Sequence, residues 1–595
     1  MDGFASVRNA ANRLRSEIGA TDLTTAADAV RDAAGKRKLI LRSLASDDPE
    51  LEGAHGLLAR KFRQVLFRND LAPDQCAEVV AHEIGHFELH DGPEAGFYPR
   101  AESNGGDPNQ RIETYGIKER REAQANTFAR EFILPRTTAR RLFLTGHNAS
   151  AIAEMLGVPY ETTLQQLADG MLLPEVPDTP ERPRSAETPC NDAQQRAVDH
   201  RGVPYLLSAG PGTGKTKTLA SRISDLLAKG VPAQNILALT FSNKAALELA
   251  ERVEAVAGGH VVNIWTGTFH AFGLDTLRKH HGLFGLPADP KVVDTSESVA
   301  MLEEALPALG LTHYLNLYEP ALALRDILRA ISRAKDELCT PDQYAALARA
   351  MSDNAVTDEE RLAAAKAAEV ATVYAHYQRR LEEDKAVDYG DIIMRPIMMM
   401  REDKDFGALM RGRFSHVHVD EYQDINLASA MLVRELVGED GENLWVVGDA
   451  RQSIYRFRGA SASNIARFEH DYARGKRDGL TENYRSTAEI VSTYSGFAAT
   501  MSVSRYSGAA ALTAARGHHQ ITPSLLTASD EAAEMDALAG TIRELQRSGT
   551  ALRNQTVLSR SNGNLARYAE ELEARDVPVL YLGPLFERRE VRDLQ

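Results

Sequence analysis

The stretch Ala209-Gly210-Pro211-Gly212-Thr213-Gly214-Lys215-Thr216 restricts the fold of this chain more than any other segment. It follows a short apolar run, Val203 to Ser208, and opens a helix from Lys215. A strand, a glycine-rich turn and a helix in that order form one unit of a parallel sheet covered by helices. Small residues let backbone N–H groups approach an anion, and the helix N-terminus favours negative charge. Lys215 then supplies an ammonium and Thr216 a hydroxyl. The pattern is that of a phosphate-binding loop, with Ala209 where the first glycine is usual.

The alternation continues. Asn235 to Thr240 is a second apolar strand, followed by a helix from Lys244, and His416 to Val419 and Leu444 to Val447 are further strands. Asp420-Glu421-Tyr422-Gln423-Asp424 closes the third. Asp420 stands where a carboxylate can hold Mg²⁺, and Glu421 where it can orient or deprotonate an attacking water. Residues 285–410 interrupt with Ala-, Leu- and Glu-rich helical sequence and read as an insertion. Five prolines between Pro174 and Pro189 mark a semi-rigid interdomain linker.

A net charge of −15 does not favour nucleic-acid binding through bulk charge. A local basic, aromatic-lined groove suffices for single strands, however. The three cysteines, Cys76, Cys190 and Cys339, are far apart, give no disulfide framework and have no metal-ligand spacing. A reducing, cytoplasmic setting is expected. The most apolar run, Ile392 to Met400, contains Arg395 and Pro396 and is too short to span a bilayer.

Before the linker, residues 1–173 read as mainly helical with a small strand component, an α+β region. Lys61 to Phe67 is a candidate strand, and Gln75 to His90 and Glu119 to Phe132 are helices. Ala149 to Leu156, Gly157 and a further helix read either as a helix-turn-helix-like hairpin or as two ordinary packed helices. His82-Glu83-Ile84-Gly85-His86 puts two histidines four apart on one helical face, able to grip Zn²⁺ together, with Glu83 beside them as general base. Three fixed positions also occur by chance in amphipathic helices, so the surroundings decide.

From about residue 189 to 595 the chain resembles the UvrD/Rep/PcrA class of ATP-dependent DNA helicases. The resemblance rests on an ordered set: Cys190 to Gln194, the phosphate loop, Thr240 to Ala246, Gly267 to Phe272, Val387 to Ile393, Asp420 to Asp424, Val447 to Ala460 and Leu480 to Ser486. It implies two RecA-like lobes and roles for particular residues. Gln194 would read adenine and Tyr484 stack on it. Gly210, Gly212, Thr213, Gly214, Lys215 and Thr216 would hold the triphosphate of ATP, with Thr216 and Asp420 on Mg²⁺. Glu421 would be catalytic, Gln452 would sense the γ-phosphate, and Arg485 would act as an arginine finger. Phe241, Asn243, His270, Tyr455, Phe457 and Arg458 would face single-stranded DNA, Phe457 standing where tryptophan is common. Later motifs of the class are missing. The second lobe is therefore expected to be partial, the sequence being a fragment (the favoured reading) or its missing half coming from another chain, and its unwinding weak or absent.

His82 to His90, followed by Glu122 to Pro135, resembles the ImmA/IrrE family of metallopeptidases over most of residues 40–170. The resemblance implies a zincin-like domain that cleaves a protein target. Its third zinc ligand would be Glu122, with Asn126 orienting a histidine; Glu131 is the competing acid. His90, on the same face as His86, reads as a supporting or substrate-side group. The expected order is a zincin-like domain (1–173), a linker (174–189), a first RecA-like domain (190–284 and 411–475) around a helical insertion (285–410), and a partial second one (476–595). The leading reading is a DNA-dependent ATPase fused to a zinc endopeptidase in DNA-damage response or genome defence. The alternatives are a helicase-like ATPase with a silent N-terminal module, and an ATP-binding DNA sensor that does not unwind.

Overall fold

The computed structural model describes residues 5–580 apart from 47, 52–54, 91–95, 98–116, 173–188, 258–263, 315–317, 319, 455–462 and 507–510. The proline-rich segment thus lies outside the described residues, as do Tyr455, Phe457 and Arg458. The chain divides into two compact units, Met1–Gly517 and His518–Gln595. Among the described residues no helix is long and apolar enough to cross a membrane.

The N-terminal region begins with α1 (Ala5–Glu17), α2 (Ala26–Arg37), β1 (Ile40–Leu44), β2 (Gly56–Ala59) and β3 (Gln64–Arg68). It continues with α3 (Pro73–Leu89), β4 (Gly96–Phe97), α4 (Ile117–Ile133), α5 (Arg136–Leu144), α6 (Ala149–Leu156) and α7 (Tyr160–Leu172). The sheet order is β1-β3-β2-β4, and only the β1–β3 pair is parallel. The strand expected from Lys61 starts at Gln64 instead. Arg60–Phe62 forms a 3₁₀ turn and Arg63 takes a left-handed φ of 52°, which breaks the extended run. Pro73 starts α3, where its missing N–H costs nothing. Gly85 lets α4 come close: a Cβ there would lie 3.0 Å from Phe128 Cδ1 and 3.3 Å from the Ala125 Cα. Buried Arg8 of α1 pairs with Glu131 of α4 (2.8 Å) and Asp169 of α7 (2.6 Å), tying three helices together.

The larger region builds one six-stranded sheet. Its elements begin with α8 (Asp192–Asp199), β5 (Tyr205–Ala209), α9 (Lys215–Ala228), β6 (Ile236–Thr240), α10 (Asn243–Ala257), β7 (Trp265–Thr268) and α11 (Phe269–Lys279). The insertion follows: α12 (Thr295–Leu309), α13 (Pro320–Asp336), α14 (Pro341–Asn354), α15 (Asp358–Glu383), α16 (Tyr389–Glu402) and α17 (Lys404–Arg413). The chain then returns to the sheet as β8 (His416–Val419), α18 (Leu427–Val437), β9 (Leu444–Gly448), α19 (Ser463–Asp471) and β10 (Lys476–Leu480). Strand order is β10-β5-β9-β8-β6-β7, with every pair parallel. β5, β6 and β9 are buried along their whole length, as a parallel sheet covered on both faces requires. β10 is a finding the sequence boundary at 476 does not anticipate. Lys476–Leu480 pairs with β5 and forms the edge of this first sheet.

A short parallel pair, β11 (Glu482–Asn483) with β12 (Thr513–Ala514), and α20 (Ala488–Ala499) complete the first unit. The second unit, taken by itself, carries α21 (Glu531–Arg547) and α22 (Asn562–Glu573) around Ala539, Ile542, Leu572 and Val577.

Lys335, at the end of α13, has no exposed side-chain surface and lies 2.8 Å from both Asp388 and Asp391 at the start of α16. Burial alone would depress its pKa, but the two carboxylates outweigh that and raise it. This trio locks α13 to the start of α16 within the insertion, and removing one partner of such a group leaves uncompensated buried charge. Lys335→Ala is therefore expected to destabilise the first unit by about 3–5 kcal/mol. The triple change Lys335→Met, Asp388→Asn, Asp391→Asn should recover most of the loss. Denaturant midpoints check this; an unchanged midpoint for Lys335→Ala contradicts it.

Candidate functional site

Two clusters of chemically active side chains stand out, each built on a rigid element. In the N-terminal region His82 and His86 lie one turn apart on α3 and Glu122 on α4 faces them. Their donor atoms all lie within 4.8 Å of one another. The two Nε2 atoms are 3.0 Å apart, and the Glu122 oxygens lie 3.2 Å from His82 Nε2 and 3.4 Å from His86 Nε2. Asn126 Oδ1 sits 2.9 Å from His82 Nδ1. An amide oxygen only accepts, so His82 carries its proton on Nδ1 and its Nε2 lone pair faces the cluster.

Burial pushes His82 below its ordinary pKa. For Glu122 burial pushes upward, but the two imidazoles outweigh it and hold the carboxyl down to about 2. Glu83 is fully buried, and among the described residues neither of its oxygens has a partner at good hydrogen-bond geometry, the Leu58 backbone being only a weak one. Burial first, and the Glu122 charge second, push its pKa well up. Two converging imidazoles, one carboxylate and an orphaned buried carboxyl alongside match the donor set and general base of a zinc site. Glu131, the other acid considered, is occupied by Arg8, Asn12 and Gln166. His90, expected as a supporting or substrate-side group, belongs to an outer chain with Gln124, which the sequence does not single out: His86 Nδ1 to His90 Nδ1 at 3.0 Å, and His90 Nε2 to Gln124 Oε1 at 3.0 Å.

The second cluster gathers at the carboxyl ends of adjacent strands β10, β5, β9 and β8, where open parallel sheets bind ligands. Lys215, after β5, lies 2.8 Å from Glu421, after β8, and 3.2 Å from Gln452, after β9. Thr216 Oγ1 is 3.5 Å from Asp420 Oδ2. Glu421 adopts the left-handed region at φ 51°, a strained placement that turns the chain sharply after Asp420. Burial, then repulsion from Glu421, raises Asp420 to about 6. The same causes raise Asp424 to about 7. Gln423 braces the acids, donating to Glu421 Oε2 (2.8 Å) and accepting from the Asp449 N–H (2.9 Å).

The loop glycines are required by close approach. Gly212 has φ +72°, and a Cβ there would lie 2.7 Å from the Arg485 Cβ; at Gly214 (φ +88°) it would lie 2.7 Å from Gln194 Nε2. Gln194 is buried, accepts from the Asn191 N–H and donates to the Thr213 carbonyl (3.0 Å), so both ends of its amide are engaged by backbone. Gly210 and Thr213 belong to the same turn, with Thr213 N–H donating back to the Gly210 carbonyl. Tyr484 is exposed and its hydroxyl is held by Asn191 (2.7 Å) and Glu482 (2.6 Å). Buried Asn483 joins the loop to the segment after β10, donating to the Pro211 carbonyl (2.6 Å) and accepting from the N–H groups of Arg485 and Ser486. Arg485 is exposed beside Gly212.

Of the residues expected at DNA, Phe241, Asn243 and His270 are all partly exposed. His270 lies against Tyr389 with ring centroids 5.9 Å apart, and burial pushes its pKa down to about 4. Asn191, Glu482 and Asn483 were not singled out from sequence. The Asn191–Gln194 spacing does carry a capping-box signal, which the structure forms.

Comparison with known proteins gives three family matches. Residues 190–473 match the UvrD/REP helicase N-terminal domain, residues 479–595 the UvrD-like helicase C-terminal domain, and residues 43–168 the IrrE N-terminal-like domain. Among curated relatives, the ATP-dependent DNA helicase PcrA of Bacillus subtilis is 39% identical over 302 residues, 51% of this chain and 38% of that protein. The ATP-dependent DNA helicase UvrD1 of Mycobacterium bovis is 37% identical over 422 residues, 68% of this chain and 51% of that protein. PcrA of Staphylococcus epidermidis is 33% identical over 407 residues, with 68% and 52% covered. The chain spans about half the length, or less, of these relatives.

Proposed function

Proceeding from a chain that carries an IrrE-like domain followed by the N- and C-terminal domains of UvrD-like helicases, we propose two coupled activities. The larger region hydrolyses ATP and uses it to move along single-stranded DNA. The N-terminal domain is a zinc-dependent endopeptidase acting on a protein. The observation that carries the first reading is the meeting of Lys215 with Glu421 and Gln452, 206 and 237 positions further along the chain, within hydrogen-bond distance.

In this reading Lys215 exchanges its contact with Glu421 for the β- and γ-phosphates, while the Gly212–Thr216 backbone receives the phosphate oxygens. Magnesium held by Thr216 and Asp420 would neutralise charge on the same oxygens. Glu421, released, accepts the proton of the attacking water at a carboxylate oxygen. Gln452 senses the terminal phosphate from its position on Lys215. Arg485 supplies positive charge to the transferring group, an effect worth roughly 10³–10⁵ in rate where such fingers are known. Tyr484, tethered by Asn191 and Glu482, offers an exposed ring to adenine. Gln194 would act on the nucleotide through the loop that it braces. Phe241, Asn243 and His270, with Tyr455, Phe457 and Arg458, are proposed for the DNA strand; aromatic stacking there tolerates any base.

For the peptidase, His82, His86 and Glu122 would hold zinc, which polarises a peptide carbonyl and acidifies a bound water. Asn126 keeps His82 in the tautomer that leaves its Nε2 bare. Glu83 takes up the proton of the attacking water and returns it to the departing amine nitrogen. Its raised pKa suits a group that must hold that proton between the two steps. Three thiols without a disulfide among them suit a reducing, cytoplasmic setting.

ATP hydrolysis by the wild-type chain is expected to rise on adding single-stranded DNA, and Lys215→Ala should abolish it in both conditions. Hydrolysis that is indifferent to Lys215→Ala would overturn the motor reading.

Asp420 gives a pH signature. Its pKa is raised to about 6, so below that pH the carboxyl is protonated and above it ionised. Magnesium requires the ionised form, so affinity for the magnesium–nucleotide complex should fall as pH drops through about 6, with proton release on binding near that value. Calorimetry at pH 5 and 7.5 in buffers of different ionisation enthalpy reads both effects. A flat profile contradicts the assignment of Asp420.

Metal analysis of purified protein should find one zinc per chain, lost in His82→Ala without loss of nucleotide binding. Zinc-free wild type with intact nucleotide binding would instead favour a silent N-terminal module.

A further inference from the structure

We infer that His90 is a positioning residue for the metal cluster: relayed from Gln124, it fixes His86 in the tautomer whose Nε2 lone pair faces His82 and Glu122. The inference rests on the zinc reading above and extends it to groups outside the ligand set.

The chain of contacts has a direction. Gln124 Oε1 is 3.0 Å from His90 Nε2. A carbonyl oxygen only accepts, so His90 Nε2 carries the hydrogen and, in the neutral ring, Nδ1 is bare. His90 Nδ1 lies 3.0 Å from His86 Nδ1. Two bare nitrogens at that distance repel, so His86 Nδ1 must be the donor. His86 Nε2 then turns its lone pair toward His82 Nε2 (3.0 Å) and Glu122 (3.4 Å), and the repulsion of these facing lone pairs is relieved by a cation shared among them, the zinc of the reading above. An apolar ring at position 90 would take away the acceptor and leave the His86 tautomer unset.

The rest of the surroundings hold this relay in place. His90 ends α3 in extended backbone (φ −126°, ψ 128°), with its N–H on the His86 carbonyl. Arg60 donates to the carbonyl oxygens of His86 (2.7 Å) and His90 (2.6 Å), clamping the helix end on which His90 stands. Gln124 lies on α4, as do Asn126 and Glu122. A single helix therefore supplies one ligand directly and sets both histidine tautomers, Asn126 for His82 and the Gln124–His90 relay for His86. Groups that orient a ligating imidazole in this way typically change metal affinity by 10–100-fold when removed.

The test is zinc affinity of the full chain, measured by competition with a chromogenic chelator, with thermal melting as a check on folding. His90→Phe keeps the ring volume and is expected to weaken zinc binding by about 10–100-fold. His90→Asn returns an acceptor oxygen near the Nδ1 position and should recover most of the affinity. Gln124→Leu should weaken binding in the same direction, and carries the test if His90→Phe fails to fold. Wild-type affinity in His90→Phe or in Gln124→Leu overturns the inference, as does an equal loss in His90→Phe and His90→Asn. A wild-type chain that binds no zinc overturns the metal reading itself, and the relay with it.

Discussion

The contact between the Lys215 ammonium and the Glu421 carboxylate, 2.8 Å long, is the point on which the larger region converges. It joins the loop after β5 to the acidic end of β8 across β9, which adds Gln452 to the same ammonium. Parallel strand pairing makes this possible, because every strand of the sheet delivers its carboxyl end to one edge. Asp420 and Glu421 are adjacent carboxylates in a poorly solvated place. The cost shows in Asp420, whose pKa rises to about 6. A cationic partner relieves that cost. Lys215 does so now, by contact with Glu421 and through its charge near Asp420, and a bound magnesium ion would add to that relief.

The N-terminal cluster follows the same logic on a different scaffold. Helical spacing aligns His82 with His86, and a glycine between them admits the helix that brings Glu122. Glu83 is then sealed with no well-formed hydrogen bond among the described residues. Such a group is expensive to bury, and burial pushes its pKa well up. Each region thus spends stability on carboxylates in places where solvent alone would not leave them.

The parts legible in the sequence were those whose chemistry is written in consecutive residues. The glycine turn before Lys215, the acid pair ending β8 and the His82–His86 spacing each define a local geometry without help from the rest of the chain. The strand at 61–67 was misplaced by three residues because a left-handed Arg63 carries no turn signal of its own. β10 was assigned beyond the first domain because KRDGL has no apolar pattern; it earns its place only by pairing with β5. Asn483 and the Pro211 carbonyl are 272 positions apart. The Lys335 trio and the Gln124–His90 relay likewise depend on which helices meet, and nothing local announces it.

The central claim is that the Lys215 loop and the Asp420 strand end together receive a triphosphate and a divalent ion. A titration of the folded chain with ATP, in the presence and absence of magnesium, tests it most directly. Saturable binding of one nucleotide per chain that tightens strongly with magnesium is the predicted result. No binding in well-folded protein, or binding that ignores magnesium, would contradict it.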